Sequence, residues 1–126
     1  MPLYIALGGA LGSLSRYWLG GAIQRAYPGS FPVGTLVVNL TGCFLIGLFL
    51  QYALDSTHFN AELRAFLTIG FCGGYTTFSS YSWETMRLFQ AGEWGRGALY
   101  ALGSMAVGLL ATMAGMAVAR RIAAGG

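Results

Sequence analysis

Residues 70–81, GFCGGYTTFSSY, combine glycines, hydroxyl groups and aromatic rings inside a long apolar segment. Three glycines in this stretch are poor helix formers. Four hydroxyl side chains follow them: Thr76, Thr77, Ser79 and Ser80. Phe78 and Tyr81 are three residues apart and therefore share one helical face. Because broken backbone is tolerated in a bilayer only where protein or a watery cavity satisfies it, we predict a functional break here, such as an ion site built from carbonyls. The alternative is close helix packing through small residues.

The composition of the chain is that of an integral membrane protein. Of its 126 residues, 56% are hydrophobic and 9% are charged, whereas about 25% charged residues is typical of soluble domains. The net charge of +3 comes from arginines alone, and because they are scattered we expect no nucleic-acid partner. Cys43 and Cys72 lie inside apolar segments and are expected to be small buried hydrophobes instead of a disulfide framework.

Four apolar segments predict four membrane-spanning helices in a single domain covering residues 1–126. The spans are about residues 3–23, 34–54, 63–89 and 98–119, with the third broken at 73–79. Each is long enough for the roughly 20 residues that a bilayer requires. No basic residue precedes the first apolar run, so we expect a first span and not a cleaved signal peptide.

Three polar side chains inside these spans need partners. Arg16 lies on a row of glycines and should face protein or water, or extend to the headgroups. Asn39 is either an interhelical hydrogen-bond partner or a donor that lines a pore. Glu84 is the only acid well inside a span, so it is a candidate functional residue; an ion pair with Arg87 is the alternative.

The last span has a stripe with a four-residue repeat, formed by Tyr100, Ser104, Gly108 and Thr112. This stripe is either a packing face or the wall of a polar path. The sequence has no metal-ligand cluster and no phosphate-binding loop, so we expect no enzyme. Amides, hydroxyls and ring edges are groups that can replace the hydration shell of a small ion. Ring edges favour an anion and ring faces a cation; Arg16 favours an anion and Glu84 a cation.

The arginines give almost no preferred membrane orientation. One end has Arg64, Arg120 and Arg121, and the other has Arg25 and Arg96, with Arg87 arguable. Since orientation follows the imbalance of basic residues, both orientations should coexist. This balance permits a dual-topology, antiparallel homodimer of this all-α membrane protein.

Three motifs together resemble the Fluc (CrcB-type) fluoride channels. They are GGALGSLSRY at residues 8–17, PVGTLVVNLTGCFLIG at 32–47 and GFCGGYTTFSSYSWET at 70–85. The resemblance covers essentially the whole chain. It implies passive fluoride export across a bacterial-type inner membrane, which lowers intracellular fluoride and its toxicity. It also implies an antiparallel dimer with two fluoride paths and a central structural Na⁺ that is not transported.

The resemblance assigns roles to individual residues. Gly73 and Thr76 would supply backbone carbonyls to the Na⁺. Asn39 matches the pore asparagine, Phe78 the first of two paired rings, Arg16 a vestibule arginine, and Glu84 the acid that follows the ring motif. Ser79, Ser80 and Thr112 would form a hydroxyl track, opposite a wall formed by Tyr100 and Ser104. The second ring is usually phenylalanine, whereas this chain has Tyr81; because a phenol keeps a polarised ring edge, we expect conduction to survive.

Two other functions fit parts of the sequence. A small multidrug-type proton antiporter also has about four spans and dual topology, and Glu84 would be its coupling acid. Such an acid is expected in the first span, where this chain has Arg16. A non-transporting assembly subunit would explain the glycines but would leave the hydroxyl run and Asn39 without a purpose.

Overall fold

The computed structural model describes residues 1–125, which form helices joined by short loops, with no strand among them. The predicted all-helical class is therefore confirmed. The helices are α1 (Pro2–Ala26), α2 (Val33–Asp55), α3 (Ala61–Arg64), a π-helix (Ala65–Cys72), α4 (Gly73–Tyr75), α5 (Phe78–Gln90) and α6 (Trp94–Gly125).

The third apolar segment is helical from α3 through α4 and is then broken. Thr76 and Thr77 both have extended backbone, and α5 begins at the next residue. The break is thus narrower than the predicted residues 73–79, because Gly73 and Gly74 continue the helix and Ser79 already belongs to α5. Thr77 caps the new helix, since its Oγ1 accepts a hydrogen bond from the Ser80 N–H at 3.2 Å.

Glycines allow the helices to approach each other closely. A Cβ at Gly74 would lie 2.6 Å from the Gly9 carbonyl oxygen, and a Cβ at Gly70 would lie 2.7 Å from the Ile5 carbonyl oxygen. By contrast, a Cβ at Gly73 would meet nothing closer than 4.0 Å. Close packing through small residues therefore explains two glycines of the predicted site, whereas the third faces open space.

Two of the helices are long and apolar enough to cross a membrane. They are α2, with a mean hydropathy of 2.1, and α6, with 1.8. Only 22% of the most apolar window of α2 and 11% of that of α6 is buried within the chain. These helices are thus not the covered core of a soluble domain, and their apolar surfaces require lipid or another protein.

The packing of the helices places the break beside α1 and α2. Helix α1 lies against the π-helix and α4, while α2 lies between them and α6. As a result, polar side chains of the first two helices reach the broken backbone of the third segment.

Candidate functional site

Asn39 forms hydrogen bonds with both backbone polar groups of Thr77, at the break. Its Oδ1 accepts a hydrogen bond from the Thr77 N–H at 2.9 Å, and its Nδ2 donates to the Thr77 carbonyl at 3.2 Å. The sequence left an interhelical hydrogen bond and a pore-lining donor as alternatives. The structure shows the hydrogen bonds, and since an amide nitrogen carries two hydrogens, one donor is still available for a ligand.

The break also releases backbone carbonyls from helical bonding. In a continuous helix the Thr77 N–H would bond the carbonyl of Gly73, and the Ser80 N–H that of Thr76. Here those two donors bond Asn39 Oδ1 and Thr77 Oγ1 instead. The carbonyls of Gly73 and Thr76 therefore lose their helical donors, and they are the two carbonyls predicted to hold a cation.

Arg16 satisfies another carbonyl near the break. Its Nε donates a hydrogen bond to the Gly74 carbonyl at 3.2 Å. In a continuous helix this carbonyl would accept from the N–H of Phe78. Arg16 thus faces protein, one of the three predicted environments, and links α1 to the last turn before the break.

Two cavities border the break, and most of the predicted site residues line one or the other. The first, which we call the break cavity, has a volume of about 440 Å³ and the second, the arginine cavity, about 380 Å³. The break cavity is lined by Asn39, Gly73, Thr76, Phe78, Tyr81 and Ser104, among others. The arginine cavity is lined by Arg16, Arg25, Thr35, Ser80 and Glu84, among others. Thr77 lines both cavities and therefore lies between them.

Three aromatic rings form a row from the break cavity towards Glu84. The ring centroids of Phe78 and Tyr81 are 5.6 Å apart and tilted by 37°, and those of Tyr81 and Tyr100 are 5.4 Å apart and tilted by 41°. The Tyr81 hydroxyl donates to the Ala101 carbonyl on α6 at 2.8 Å. Phe78 is 80% exposed within the chain, so the rest of the chain does not cover this end of the row.

Glu84 is held by hydroxyl groups and not by an arginine. Thr35 Oγ1 donates to Glu84 Oε2 at 2.9 Å, and the Tyr100 hydroxyl donates to Oε1 at 3.3 Å. The alternative ion pair with Arg87 is wrong for the described residues, whose only ion pair joins Arg96 to Glu93. Both carboxylate oxygens thus accept from donors on α2 and α6.

The predicted hydroxyl track is divided among different places. Ser80 lines the arginine cavity, while the exposed Ser79 Oγ lies 3.3 Å from Thr77 Oγ1. Thr112 Oγ1 donates to the Cys43 carbonyl at 3.1 Å and lines neither cavity. Ser104 Oγ is buried in the break cavity without a hydrogen-bond partner among the described residues.

Thr35 is a site residue that was not predicted from the sequence. It lies four residues before Asn39 on α2, so both side chains share a helical face. That spacing was the available signal, since Asn39 had already marked this face of the helix.

Comparison with known proteins assigns the chain to a family. The family model described as CrcB-like protein, Camphor Resistance (CrcB), matches residues 3–116. The chain is 51% identical over 113 residues to a Thermus thermophilus protein named Fluoride-specific ion channel FluC, covering 90% of this chain and 88% of that protein. Proteins of the same name from Geobacter sulfurreducens and Rhizobium leguminosarum are 47% and 44% identical; the alignments cover 95% and 96% of this chain and 97% of each relative. The chain therefore belongs to the CrcB-like family.

Proposed function

We propose that this chain is the subunit of a fluoride-specific ion channel, not an enzyme, and that it passes fluoride down its gradient out of the cell. The observation that supports this proposal most is the identity of about half the residues, over 90% of the chain, with a protein named as such a channel. The matched family region, residues 3–116, contains all the residues that line the two cavities.

The groups at the break suit a small anion that holds its water tightly. Asn39 has one amide hydrogen beyond its bond to Thr77, and the Ser104 hydroxyl lacks a protein partner. The rings of Phe78 and Tyr81 line the same cavity, and an aromatic ring has a partially positive edge that would attract an anion. Closely placed donors of this kind replace the hydration shell of an ion, and a narrow path would exclude larger halides.

The working unit that we propose is an antiparallel homodimer with dual topology, in a bacterial-type cytoplasmic membrane. In the proposed dimer, a second copy would cover the exposed ring of Phe78 and the open side of the break cavity. The near balance of arginines, with Arg25 and Arg96 at one end and Arg64, Arg120 and Arg121 at the other, permits both orientations.

A structural Na⁺ fits the carbonyls that the break releases. Unwound backbone carbonyls are known Na⁺ ligands in membrane proteins, and Gly73 and Thr76 each provide one. Two carbonyls are few for a hard cation, so two copies would have to share the ion. When bound, the Na⁺ would compensate the negative ends of these peptide dipoles and join the two broken helices.

Fluoride efflux from proteoliposomes tests the proposed function. We expect rapid, voltage-driven release with potassium and valinomycin, without a pH gradient, and negligible release of chloride. Release that requires an opposing proton gradient would instead support a proton antiporter with Glu84 as the coupling acid. No release from folded, Na⁺-supplied dimers would contradict a channel.

The variant Tyr81→Phe tests how the chain accommodates a tyrosine at the second ring. We expect fluoride flux to stay within about threefold of wild type, because the hydroxyl bonds the Ala101 carbonyl and is not offered to the ion. Loss of this hydrogen bond should lower the free energy of unfolding by about 1 kcal/mol. The measurements are fluoride efflux and thermal unfolding in detergent.

Tyr52→Phe is the matched control, since the Tyr52 hydroxyl makes only a long, exposed contact of 3.5 Å to His58. Tyr52→Phe should change neither the fluoride flux nor the free energy of unfolding. A tenfold change of flux in Tyr81→Phe alone would mean that the phenol contacts the ion.

A further inference from the structure

The loop between α1 and α2 is fastened to the turn between α5 and α6. Arg96 Nη1 donates to Glu93 Oε1 at 3.0 Å and to Ser30 Oγ at 3.2 Å. Ser30 Oγ in turn donates to Glu93 Oε1 at 3.2 Å. These three side chains, which we call the loop clasp, join parts of the chain that are more than sixty residues apart.

The loop clasp brings Phe31 against Tyr100. The guanidinium carbon of Arg96 lies 5.5 Å from the centroid of the Phe31 ring. The rings of Phe31 and Tyr100 are 5.6 Å apart at an interplanar angle of 83°, which is the favoured edge-to-face arrangement. Phe31 therefore lies between a cation and the tyrosine that bonds Glu84.

The backbone beside Phe31 is also fixed. Gln24 Nε2 donates to the Phe31 carbonyl at 3.2 Å, and Gln24 Oε1 accepts from the Gly34 N–H at 3.0 Å. The main chain is thus held by α1, the neighbouring Ser30 by the clasp, and the ring by Arg96 and Tyr100. Because these contacts fix the position of Phe31, its ring is suited to fixing the position of Tyr100 in turn.

Tyr100 is buried, and Phe31 is one of the residues that contact it. It is 1% exposed, with the Tyr81 ring on another side at 5.4 Å and Glu84 at its hydroxyl. Its hydrogen bond to Glu84 is 3.3 Å long, near the limit of useful geometry. A small tilt of the whole side chain, which would move the hydroxyl oxygen, would therefore break this bond and release one oxygen of the carboxylate.

We propose that Phe31 is a positioning residue for the ion path: it holds Tyr100 at the angle at which its hydroxyl reaches Glu84. The inference rests on the proposed function, because the path is taken to be that of fluoride. Phe31 acts through Tyr100 and makes no contact with the ion. Arg96 and Glu93 support it by keeping the loop closed over α6.

Fluoride efflux from proteoliposomes of the full chain tests the role of the ring. Phe31→Ala should lower the flux by about fivefold, as expected for the loss of one edge-to-face ring pair. Phe31→Tyr keeps the ring and should restore most of the flux. Arg96→Gln should lower it about twofold, whereas Arg96→Lys keeps a cation and should not. The control is Phe59→Ala, which removes a similar ring contact, to Tyr52 at 5.1 Å, beyond the other end of α2.

A double-mutant cycle separates positioning from general stability. If Phe31 acts through the Tyr100 hydroxyl, then Phe31→Ala should have no further effect on the flux in a Tyr100→Phe background. Independent, multiplying effects in the double variant would overturn the inference.

A spectroscopic measurement distinguishes failure of this inference from failure of the proposed function. Protein labelled with 3-fluorotyrosine gives a ¹⁹F signal for Tyr100, assigned by its loss in Tyr100→Phe. Loss of the Phe31 ring current displaces this signal even if Tyr100 stays in place, so the readout is the number and width of its components. Phe31→Ala should split or broaden the signal and Phe59→Ala should not, whether or not the wild-type protein conducts fluoride. A single, narrow Tyr100 signal in Phe31→Ala would overturn the inference even in a working channel.

Discussion

Replacing Asn39 with alanine should reduce fluoride flux by on the order of a hundredfold and destabilise the protein. Asn39 bonds both the N–H and the carbonyl of Thr77, so its loss removes the protein partner of two backbone groups. The expected decrease in the free energy of unfolding is about 2 kcal/mol. Flux is measured by fluoride efflux at a fixed voltage, and stability by thermal unfolding in detergent.

Two further variants separate the structural part of this effect from the ionic part. Asn39→Asp keeps an acceptor for the Thr77 N–H but removes the amide donors and adds a negative charge, so it should retain more stability than alanine while conducting no better. Gln51→Ala removes an amide near the end of the same helix, where it bonds Asp55, and should leave flux unchanged. Flux of Asn39→Ala within twofold of wild type would show that this amide serves only the fold.

The break in the third segment shows how far local sequence patterns reach. The run of glycines and hydroxyls predicted a break, because such residues favour caps and turns over helix interiors. Its position could not be predicted to the residue, since Gly73 and Gly74 stay helical and only Thr76 and Thr77 are extended. The position of the break depends on Asn39 of α2. Its Oδ1 accepts the hydrogen bond from the Thr77 N–H, which in a continuous helix would go to the Gly73 carbonyl.

Contacts between distant residues were beyond prediction for the same reason. Thr35 and Tyr100, the partners of Glu84, are 49 and 16 residues away from it, and the Gly74 carbonyl is 58 residues away from Arg16. An arginine three residues along the helix was therefore the natural candidate to pair with Glu84, although Thr35 and Tyr100 are the residues that bond it. A sequence pattern ranks neighbours along one helix, whereas the packing of helices decides which polar groups meet across them.

The packing of α1 against the third segment also gives Gly12 an effect on the site, although Gly12 lines neither cavity. A Cβ at Gly12 would overlap the Phe71 carbonyl oxygen and lie 2.9 Å from the Tyr75 nitrogen. Both are backbone atoms of the helical segment that ends at the break, so we expect that displacing them would also shift the adjacent Thr76. Because Gly12 has no side chain, α1 can pack closely against this segment. This close packing helps to position the carbonyls of Gly73 and Thr76.

Gly12→Ala should accordingly cost about 3 kcal/mol of stability, at the upper end for overpacking, and should abolish most of the flux. Gly103→Ala is the matched control, because its added Cβ meets nothing closer than 4.0 Å and alanine is the better helix former; it should fold and conduct like wild type. The measurements are the yield of monodisperse protein, thermal unfolding and fluoride efflux of both variants. If Gly12→Ala folds and conducts as well as Gly103→Ala, α1 does not press on the end of the broken helix, and the break must be positioned by Asn39 and Arg16 alone.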